Sequence, residues 1–310
     1  MWRKNSRKLS AMILATVIAF VPWAGTIGEV EATGAMKATK VTQSTSVPAS
    51  QTATWLWDTT QIKTAPDSVL TFAKENNLNV IYLQINRDVR NKYYQTFIHN
   101  ATLAGIKVEI LDGRPSWGLT KSRQGLVDFI DWIENYQNEA SETEKFSGIH
   151  VDIEPHVLPE WKENVDEVVK QWQSNVNYLT SEAKRLNMEI GADIPFWLDN
   201  YTTPDKDMKI SSWMIRQYDS VTVMAYRDKA SAIYDVASDE LAEASALGKK
   251  VSIAVETNQS NEGDFITFYE EGPEYMAQQL TLVEQKASIH SSYSGISIHE
   301  YASWLKLARR

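Results

Sequence analysis

The sequence predicts an α/β fold, a single (β/α)8 TIM barrel, from three observations. From Thr54 onward, short apolar runs alternate with longer amphipathic stretches, the pattern of βα units repeated around a parallel sheet. Eight such units fit into about 255 residues, the size of a closed barrel. No glycine-rich phosphate loop follows the first run, which weakens the alternative of a doubly wound open sheet.

The elements follow one another in strict order. Short apolar runs predict strands at Thr54–Asp58, Asn79–Asn86, Lys107–Asp112, Gly148–Glu154, Glu189–Pro195, Ser220–Tyr226, Lys250–Glu256 and Gly295–His299. Amphipathic stretches predict helices at Pro66–Asn76, Asp88–Ala104, Gln124–Asn138, Glu160–Leu186, Ser211–Asp219, Ala232–Leu247 and Glu271–Ala287, before a short final helix. The third helix shows the spacing best, at Leu126, Phe129, Ile130 and Ile133.

The N-terminus predicts export. Residues 1–32 combine a basic start, an apolar run over Ala11–Gly25 and small residues suited to cleavage, as a signal peptide does. Residues 33–53 lack a hydrophobic period and predict a flexible linker before the barrel domain, residues 54–310. The apolar run is shorter than the roughly 20 residues that span a bilayer, so we expect no stable membrane insertion after the signal is cleaved. An uncleaved membrane anchor is the alternative. The mature protein is expected to be secreted or cell-wall associated.

The composition of the chain limits which classes of molecule it is expected to bind. The chain has no cysteine, which excludes disulfides and thiolate metal sites. Its net charge is −9, and loss of the basic signal makes it more negative. Nucleic acid, anionic lipid and polyanionic polymers are therefore disfavoured as partners.

The segment Phe146–His156 carries the strongest functional signal. Alternating side chains of a strand face opposite sides, so His150, Asp152 and Glu154 face into the barrel while the aliphatic residues between them face the helices. Carboxylates at i and i+2 stand roughly 7 Å apart, close enough for the charge on one to raise the pKa of the other. One protonated and one ionised carboxyl group is the arrangement that glycosidic cleavage requires. We predict Glu154 as general acid and Asp152 as its assistant.

Other strands end in polar or aromatic residues on the same inward phase. Glu256 is predicted as a second catalytic carboxylate or a substrate-binding acid, and Tyr226 as a hydrogen-bond donor to a reacting oxygen. The candidate substrate-binding residues are Trp57, Asp58, Gln84, Asn86, Asp112, Asp193, Trp197, Met224, His299, Glu300 and Trp304. Indole rings at strand ends offer flat apolar platforms to sugars, with simple packing as the alternative for each. A structural core would use branched aliphatic residues at these strand ends, so the concentration of polar and aromatic residues there predicts a functional site.

Metal-dependent hydrolysis is a weaker alternative. His150, Asp152, Glu154 and His299 have suitable ligand chemistry. No HxH or HExxH spacing is present, so we predict neither a metal nor a cofactor.

The segments Ser147–Glu154 and Met224–Arg227 resemble the strand-four motif DGxDxDxE and the strand-six motif MxYD of family 18 chitinase-like glycoside hydrolases. Asp152, Glu154 and Tyr226 are among the matched residues. The resemblance implies that Glu154 protonates the leaving oxygen and that Asp152 orients the substrate's N-acetyl group as an internal nucleophile. It further implies that Tyr226 holds the acetyl oxygen, with no second protein carboxylate and no cofactor.

The chain departs from that family pattern at four positions. Ser147 and His150 stand in place of two acids, Arg227 in place of the strand-six aspartate, and His299 in place of the strand-eight tryptophan. These departures leave the sugar and the need for an acetamido group open.

A rival resemblance is to retaining barrel glycosidases with an Asn-Glu-Pro acid on strand four and a glutamate nucleophile on strand seven. Glu154-Pro155 and Glu256 meet that pattern, but Ile153 stands in place of the asparagine. Carboxyl groups about 5 Å apart would favour this two-step mechanism, and a wider separation would favour inversion.

The combined expectation is a secreted glycoside hydrolase that cleaves an extracellular or cell-wall polysaccharide by carboxylate acid/base catalysis, with substrate assistance on N-acetylated sugars as one option. The alternatives are a non-catalytic, lectin-like carbohydrate-binding barrel of the cell envelope and a structural module of the cell wall.

Overall fold

The computed structural model describes residues 50–310. The predicted signal peptide, 1–32, and the predicted linker up to residue 49 lie outside the described residues. Eight parallel strands close into a barrel in the order β1 to β8, which confirms the predicted fold class. The strands are β1 Gln51–Leu56, β2 Val80–Gln84, β3 Lys107–Asp112, β4 Gly148–Val151, β5 Ile190–Pro195, β6 Ser220–Met224, β7 Lys250–Glu256 and β8 Tyr293–His299.

Eleven α-helices lie within this part of the chain. They are α1 Gln61–Thr64, α2 Pro66–Glu75, α3 Asn91–Leu103, α4 Arg123–Glu139, α5 Pro159–Glu163, α6 Val165–Arg185, α7 Ile210–Gln217, α8 Ala230–Asp235, α9 Ser238–Leu247, α10 Pro273–Ala287 and α11 Tyr301–Leu307. No helix among the described residues has the length and apolar character needed to cross a bilayer.

The first strand begins at Gln51, three residues before the predicted start of the barrel domain at Thr54. Thr52 pairs with Ile296 of β8, and Ala53 pairs with Val80 of β2. Gln51 donates a side-chain hydrogen bond to the hydroxyl of Tyr82 at 2.7 Å. These polar residues resemble linker composition, but pairing on both sides satisfies their backbone groups inside the closed sheet.

Other predicted boundaries also differ from the structure. Strand β4 ends at Val151 rather than at Glu154, because Pro155 has no N–H to pair and begins a 3-10 turn. The long predicted helix after β4 is broken at Asn164, whose side chain accepts a hydrogen bond from the backbone N–H of Glu167 and so caps α6. The predicted helix over Ala232–Leu247 is likewise divided into α8 and α9.

The barrel separates two cores. Outward-facing strand residues such as Ile149 and Val151 are fully buried against the surrounding helices. The smaller interior cluster consists of Ala53, Trp55, Val80, Tyr82, Leu111 and Ala254, with Trp57 and Tyr226 packed against it. Hydroxyl groups of Thr222, Ser252 and Ser297 form a hydrogen-bonded chain across β6, β7 and β8, with spacings of 2.7 and 3.1 Å. The interior is therefore filled, and the polar strand ends gather above it at the C-terminal end of the barrel, called the mouth below.

Candidate active site

Asp152 and Glu154 follow the last paired residue of β4 and so lie at the mouth. Asp152 remains joined to β3, because its backbone N–H donates to the carbonyl of Asp112 at 3.2 Å. Gly113 passes so close that a Cβ on it would lie 1.7 Å from the Asp152 carbonyl oxygen. The missing side chain at Gly113 thus permits the backbone contact that positions Asp152.

Asp152 has an unsatisfied oxygen. Its Oδ1 is buried and has no hydrogen-bond partner among the described residues. Burial, then the charges of Asp193 and Glu154, raise the pKa of Asp152 well above its ordinary value. A buried polar atom without a partner is costly, and such costs are common where a ligand later supplies the partner.

Glu154 is half-buried beside Asp152. Burial raises the pKa of its carboxyl group, the negative charge of Asp193 raises it further, and His299 acts in the opposite direction. A carboxyl group with a raised pKa keeps its proton to higher pH, which is the requirement for a general acid.

Tyr226 follows β6 and faces the same space. Burial raises its pKa well above the ordinary value, and the charges of Glu256, Asp193 and Asp152 add to this effect. Its phenol therefore stays protonated and can donate a hydrogen bond. The half-buried Met224 ends the strand on the same inward phase.

Glu256 and His299 form a pair on neighbouring strands. Oε2 of Glu256 lies 2.8 Å from Nδ1 of His299, and the indole N–H of Trp57 points at Nε2 of His299 at 3.2 Å. Oε1 of Glu256 accepts the backbone N–H groups of Thr257 and Asn258, each at 2.7 Å. Burial lowers the pKa of His299 but Glu256 raises it, and the net direction is upward. Both oxygens of Glu256 are thus already engaged by protein groups.

Asp193 lies below the mouth rather than on its surface. It is 4% exposed, and its two oxygens contact Nε2 of His150 at 2.8 Å and the indole N–H of Trp55 at 2.9 Å. His150 stacks on Tyr82 with ring centroids 3.8 Å apart. Although we predicted Asp193 as a substrate-binding residue, its oxygens are occupied, and its charge acts on Asp152 and Glu154 through space.

A cavity of about 560 Å³ opens over the ends of β1, β2 and β3. Five predicted substrate-binding residues line it: Trp57, Asp58, Gln84, Asn86 and Asp112. Gln84 donates to Asp112 at 3.1 Å. Burial raises the pKa of Asp112, against the effects of that hydrogen bond and of nearby Arg114 and Arg87. Polar groups together with aromatic side chains suit a sugar better than an apolar ligand.

Three other predicted substrate-binding residues lie apart from this cavity. Trp197 is half-buried across the mouth, 4.7 Å from the ring of His156. Trp304 is 4% exposed and packs edge-to-face on Phe72 in the outer core, which leaves no face for a sugar. The carboxylate of Glu300 caps α11 by accepting the N–H groups of residues 302 and 303. Trp304 therefore lies in the outer core rather than at the mouth, and the carboxylate of Glu300 is already engaged by α11.

The sequence reasoning missed residues that lie in loops. The cavity is also lined by Arg87, Asp88, Arg114, Gly125 and Asp128. These residues stand two or more positions beyond a strand end or on α4, where strand alternation carries no information about direction. Within residues 50–310, no group of three or more histidine, aspartate, glutamate or cysteine side chains is arranged to hold a metal ion.

No protein-family model matches the sequence, and no curated protein matches it. Solved structures share its fold. A class V chitinase from Pseudomonas fluorescens Pf-5 superposes with a TM-score of 0.53 and 14% identity, covering 84% of this chain and 99% of that one. A chitinase from Chromobacterium violaceum ATCC 12472 gives a TM-score of 0.51 and 11% identity, covering 84% of this chain and 98% of that one. The protein therefore has a chitinase-like barrel, and the predicted resemblance is confirmed for the fold.

Proposed function

We propose that the protein is a glycoside hydrolase that cleaves a glycan next to an N-acetylated sugar. The observation that carries the proposal is the pair Asp152 and Glu154 at the mouth, where both carboxyl groups have a raised pKa and Asp152 keeps a buried oxygen free of protein partners. An active site commonly keeps such costly groups because the substrate completes their interactions.

Glu154 supplies the proton for bond cleavage. As the bond between the anomeric carbon and the leaving oxygen breaks, the proton of Glu154 moves to that oxygen. The acetamido oxygen of the same sugar forms a bond to the anomeric carbon, giving a cyclic intermediate. The ionised Glu154 then takes a proton from water, which opens the intermediate and restores the acid.

Asp152 and Tyr226 hold the acetamido group during this attack. Oδ1 of Asp152 accepts the amide N–H, which gives this buried oxygen the hydrogen-bond partner that it lacks in the protein alone. The phenol of Tyr226, kept protonated by burial, donates to the acetamido oxygen. The cavity over β1 to β3 provides room for further sugars, with Trp57 as its aromatic wall.

Glu256 does not serve as the nucleophile in this proposal. Its Oε1 accepts two backbone N–H groups and its Oε2 is paired with His299. A nucleophilic carboxylate needs an oxygen free to approach the anomeric carbon, so these contacts disfavour the two-carboxylate mechanism.

We also propose that the protein acts outside the cytoplasm, on an extracellular or cell-wall glycan. The support is the basic and apolar character of residues 1–32, which is typical of an export signal.

The test is hydrolysis of N-acetylglucosamine oligomers and of peptidoglycan by the purified protein. Glu154→Gln keeps size but removes the proton, and we expect turnover to fall by about 10²–10⁴-fold while oligomers still bind. Asp152→Asn should also lower turnover. Glu163 is an exposed residue of α5, so Glu163→Gln is the matched control and should leave turnover unchanged. Binding without turnover in the unaltered protein would favour the lectin-like alternative and overturn the proposal.

A further inference from the structure

Arg227 lies at the rim of the mouth, directly after Tyr226. Its guanidinium carbon lies 4.7 Å from the ring centroid of Phe196, beyond β5, and 5.6 Å from that of Phe265, in the loop after β7. One of its nitrogens donates to the carbonyl of Tyr226 at 2.6 Å. The backbone N–H of Asp228 donates to the carbonyl of Phe265 at 3.0 Å, which holds the two loops together. The guanidinium thus lies over two aromatic rings beside a proposed catalytic side chain.

This cation lacks an anionic partner. Among residues 50–310, Arg227 makes no salt bridge, and its side chain has the single hydrogen bond to Tyr226. A guanidinium carries five N–H donors in a planar fork that matches a carboxylate. Stacking on aromatic faces holds the group in one orientation and leaves its donating edge available.

The acidic residues around Arg227 limit which anions can bind to it. The chain is acidic, with a net charge of −9, and the groups at the mouth include Asp152, Glu154 and Glu256. A densely charged polyanion would be repelled by such a surface. A glycan whose anionic groups are widely spaced could place one of them against Arg227, where it would gain charge-assisted hydrogen bonds while the others stay away from the acidic residues.

We propose that Arg227 binds a carboxylate carried by the substrate. The substrate class is then an N-acetylated glycan that also bears carboxylate groups, such as the lactyl ether of muramic-type sugars. This rests on the proposed function, since the N-acetylated sugar is held by Asp152 and Tyr226 while the carboxylate belongs to the same or the adjoining sugar. Arg227, which follows β6 and stands in place of the aspartate of the chitinase-like motif, is thereby assigned to substrate choice.

Binding is measured by calorimetry in the Glu154→Gln background, so that the ligand is not consumed. The two probes are the tetrasaccharide of N-acetylglucosamine and the tetrasaccharide in which N-acetylglucosamine alternates with N-acetylmuramic acid. We expect the carboxylated probe to bind at least about tenfold more tightly, since hydrogen bonds to charged groups exceed neutral ones. Adding Arg227→Gln should reduce the ratio of the two affinities to about 1, and Arg227→Lys should restore only part of it, because a lysine lacks the bidentate fork.

Lys229→Gln is the matched control, because Lys229 is an exposed cation two residues away with the same charge change. It should leave the affinity ratio unchanged. Equal binding of both probes by Glu154→Gln, or loss of the preference in Lys229→Gln as well, would overturn the assignment of Arg227. A phosphorylated N-acetylglucosamine oligomer that binds more tightly than the carboxylated probe in an Arg227-dependent manner would overturn the choice of carboxylate. Arg227-dependent binding without any hydrolysis by the unaltered protein would instead contradict the proposed function while still supporting carboxylate binding by Arg227.

Discussion

Oε2 of Glu256 lies 2.8 Å from Nδ1 of His299, and this contact occupies the carboxylate that most resembles a nucleophile. The other oxygen accepts two backbone N–H groups of the following loop. In the neutral ring, Nδ1–H donates to Glu256 while Nε2 accepts the indole N–H of Trp57. Glu256 therefore orients His299 and Trp57, and its role differs from that of Glu154.

This difference predicts unequal effects for two isosteric substitutions. Glu154→Gln removes the proton donor and should lower kcat by about 10²–10⁴-fold. Glu256→Gln should lower kcat by about tenfold or less, because it only weakens the orientation of His299. Steady-state kinetics on a fluorogenic N-acetylglucosamine oligomer measures both. A loss for Glu256→Gln as large as that for Glu154→Gln would restore the two-carboxylate mechanism.

The pH dependence of turnover follows from the raised pKa of Glu154. The acid works protonated, so kcat should fall as pH rises through that raised pKa. Since the positive charge of protonated His299 lowers the pKa of Glu154, His299→Gln should move the falling limb to higher pH. A profile of kcat against pH for both proteins provides the measurement, and a limb that stays in place or moves to lower pH would contradict this coupling.

Stability should also depend on pH through Asp152. Its pKa is raised in the folded state. At a pH between the ordinary pKa and the raised one, the folded protein therefore holds a proton that the unfolded chain has released. The free energy of unfolding falls as pH rises through this range. Asp152→Asn removes this cost. At about pH 8 its Tm should exceed that of the unaltered protein by about 2–4 °C for each kcal/mol recovered, and the difference should shrink towards about pH 4. Thermal melts at both pH values test the sign; a less stable Asp152→Asn at the higher pH would refute it.

Two tryptophans that look alike in sequence should respond differently to removal. Trp57 lines the cavity and is partly exposed, so Trp57→Ala should raise KM with a modest loss of stability. Trp304 is buried against Phe72, so Trp304→Ala should cost about 3–5 kcal/mol of unfolding free energy and leave KM unchanged. Denaturant unfolding and kinetics on the same two proteins would separate these roles, and the reverse assignment would count against the cavity as the sugar site.

Gly113 is predicted to control the position of Asp152. A methyl group on Gly113 would meet the Asp152 carbonyl at 1.7 Å, so Gly113→Ala must displace the end of β3 or β4. A displacement of about 1 Å at a catalytic group can cost about 10²-fold in rate. Gly105→Ala is the control, because Gly105 has φ +77° and open space around its Cβ direction, so strain lowers stability there without moving the mouth. Unchanged kcat in Gly113→Ala would show that the contact does not position Asp152.

Periodicity alone predicted the barrel, because each strand alternates between two unlike environments. The inward phase of His150, Asp152 and Glu154 follows from two-residue alternation, and it continues past the point where β4 stops pairing. The beginning of β1 was missed because Gln51 and Thr52 are polar, and only their pairing with β8 shows that they belong to the sheet.

The candidate site was predictable only where strands present it. Alternation identified Tyr226 and Glu256, but it gave no indication that the oxygens of Glu256 and Asp193 are already occupied by partners distant in the chain. The two aromatic rings beneath the guanidinium of Arg227 come from loops after β5 and β7, and barrel closure brings these loops together. Trp304 was misplaced because a tryptophan just past a strand end can turn towards either core.

The filled interior beneath the mouth has a consequence for how a long polymer is handled. Tyr82 stacked on His150, and the hydroxyl chain from Thr222 to Ser297, leave no passage along the barrel axis. A glycan strand therefore cannot pass through the barrel interior. In the proposed function, a glycan strand lies across the open end of the barrel, and both fragments leave from that same end.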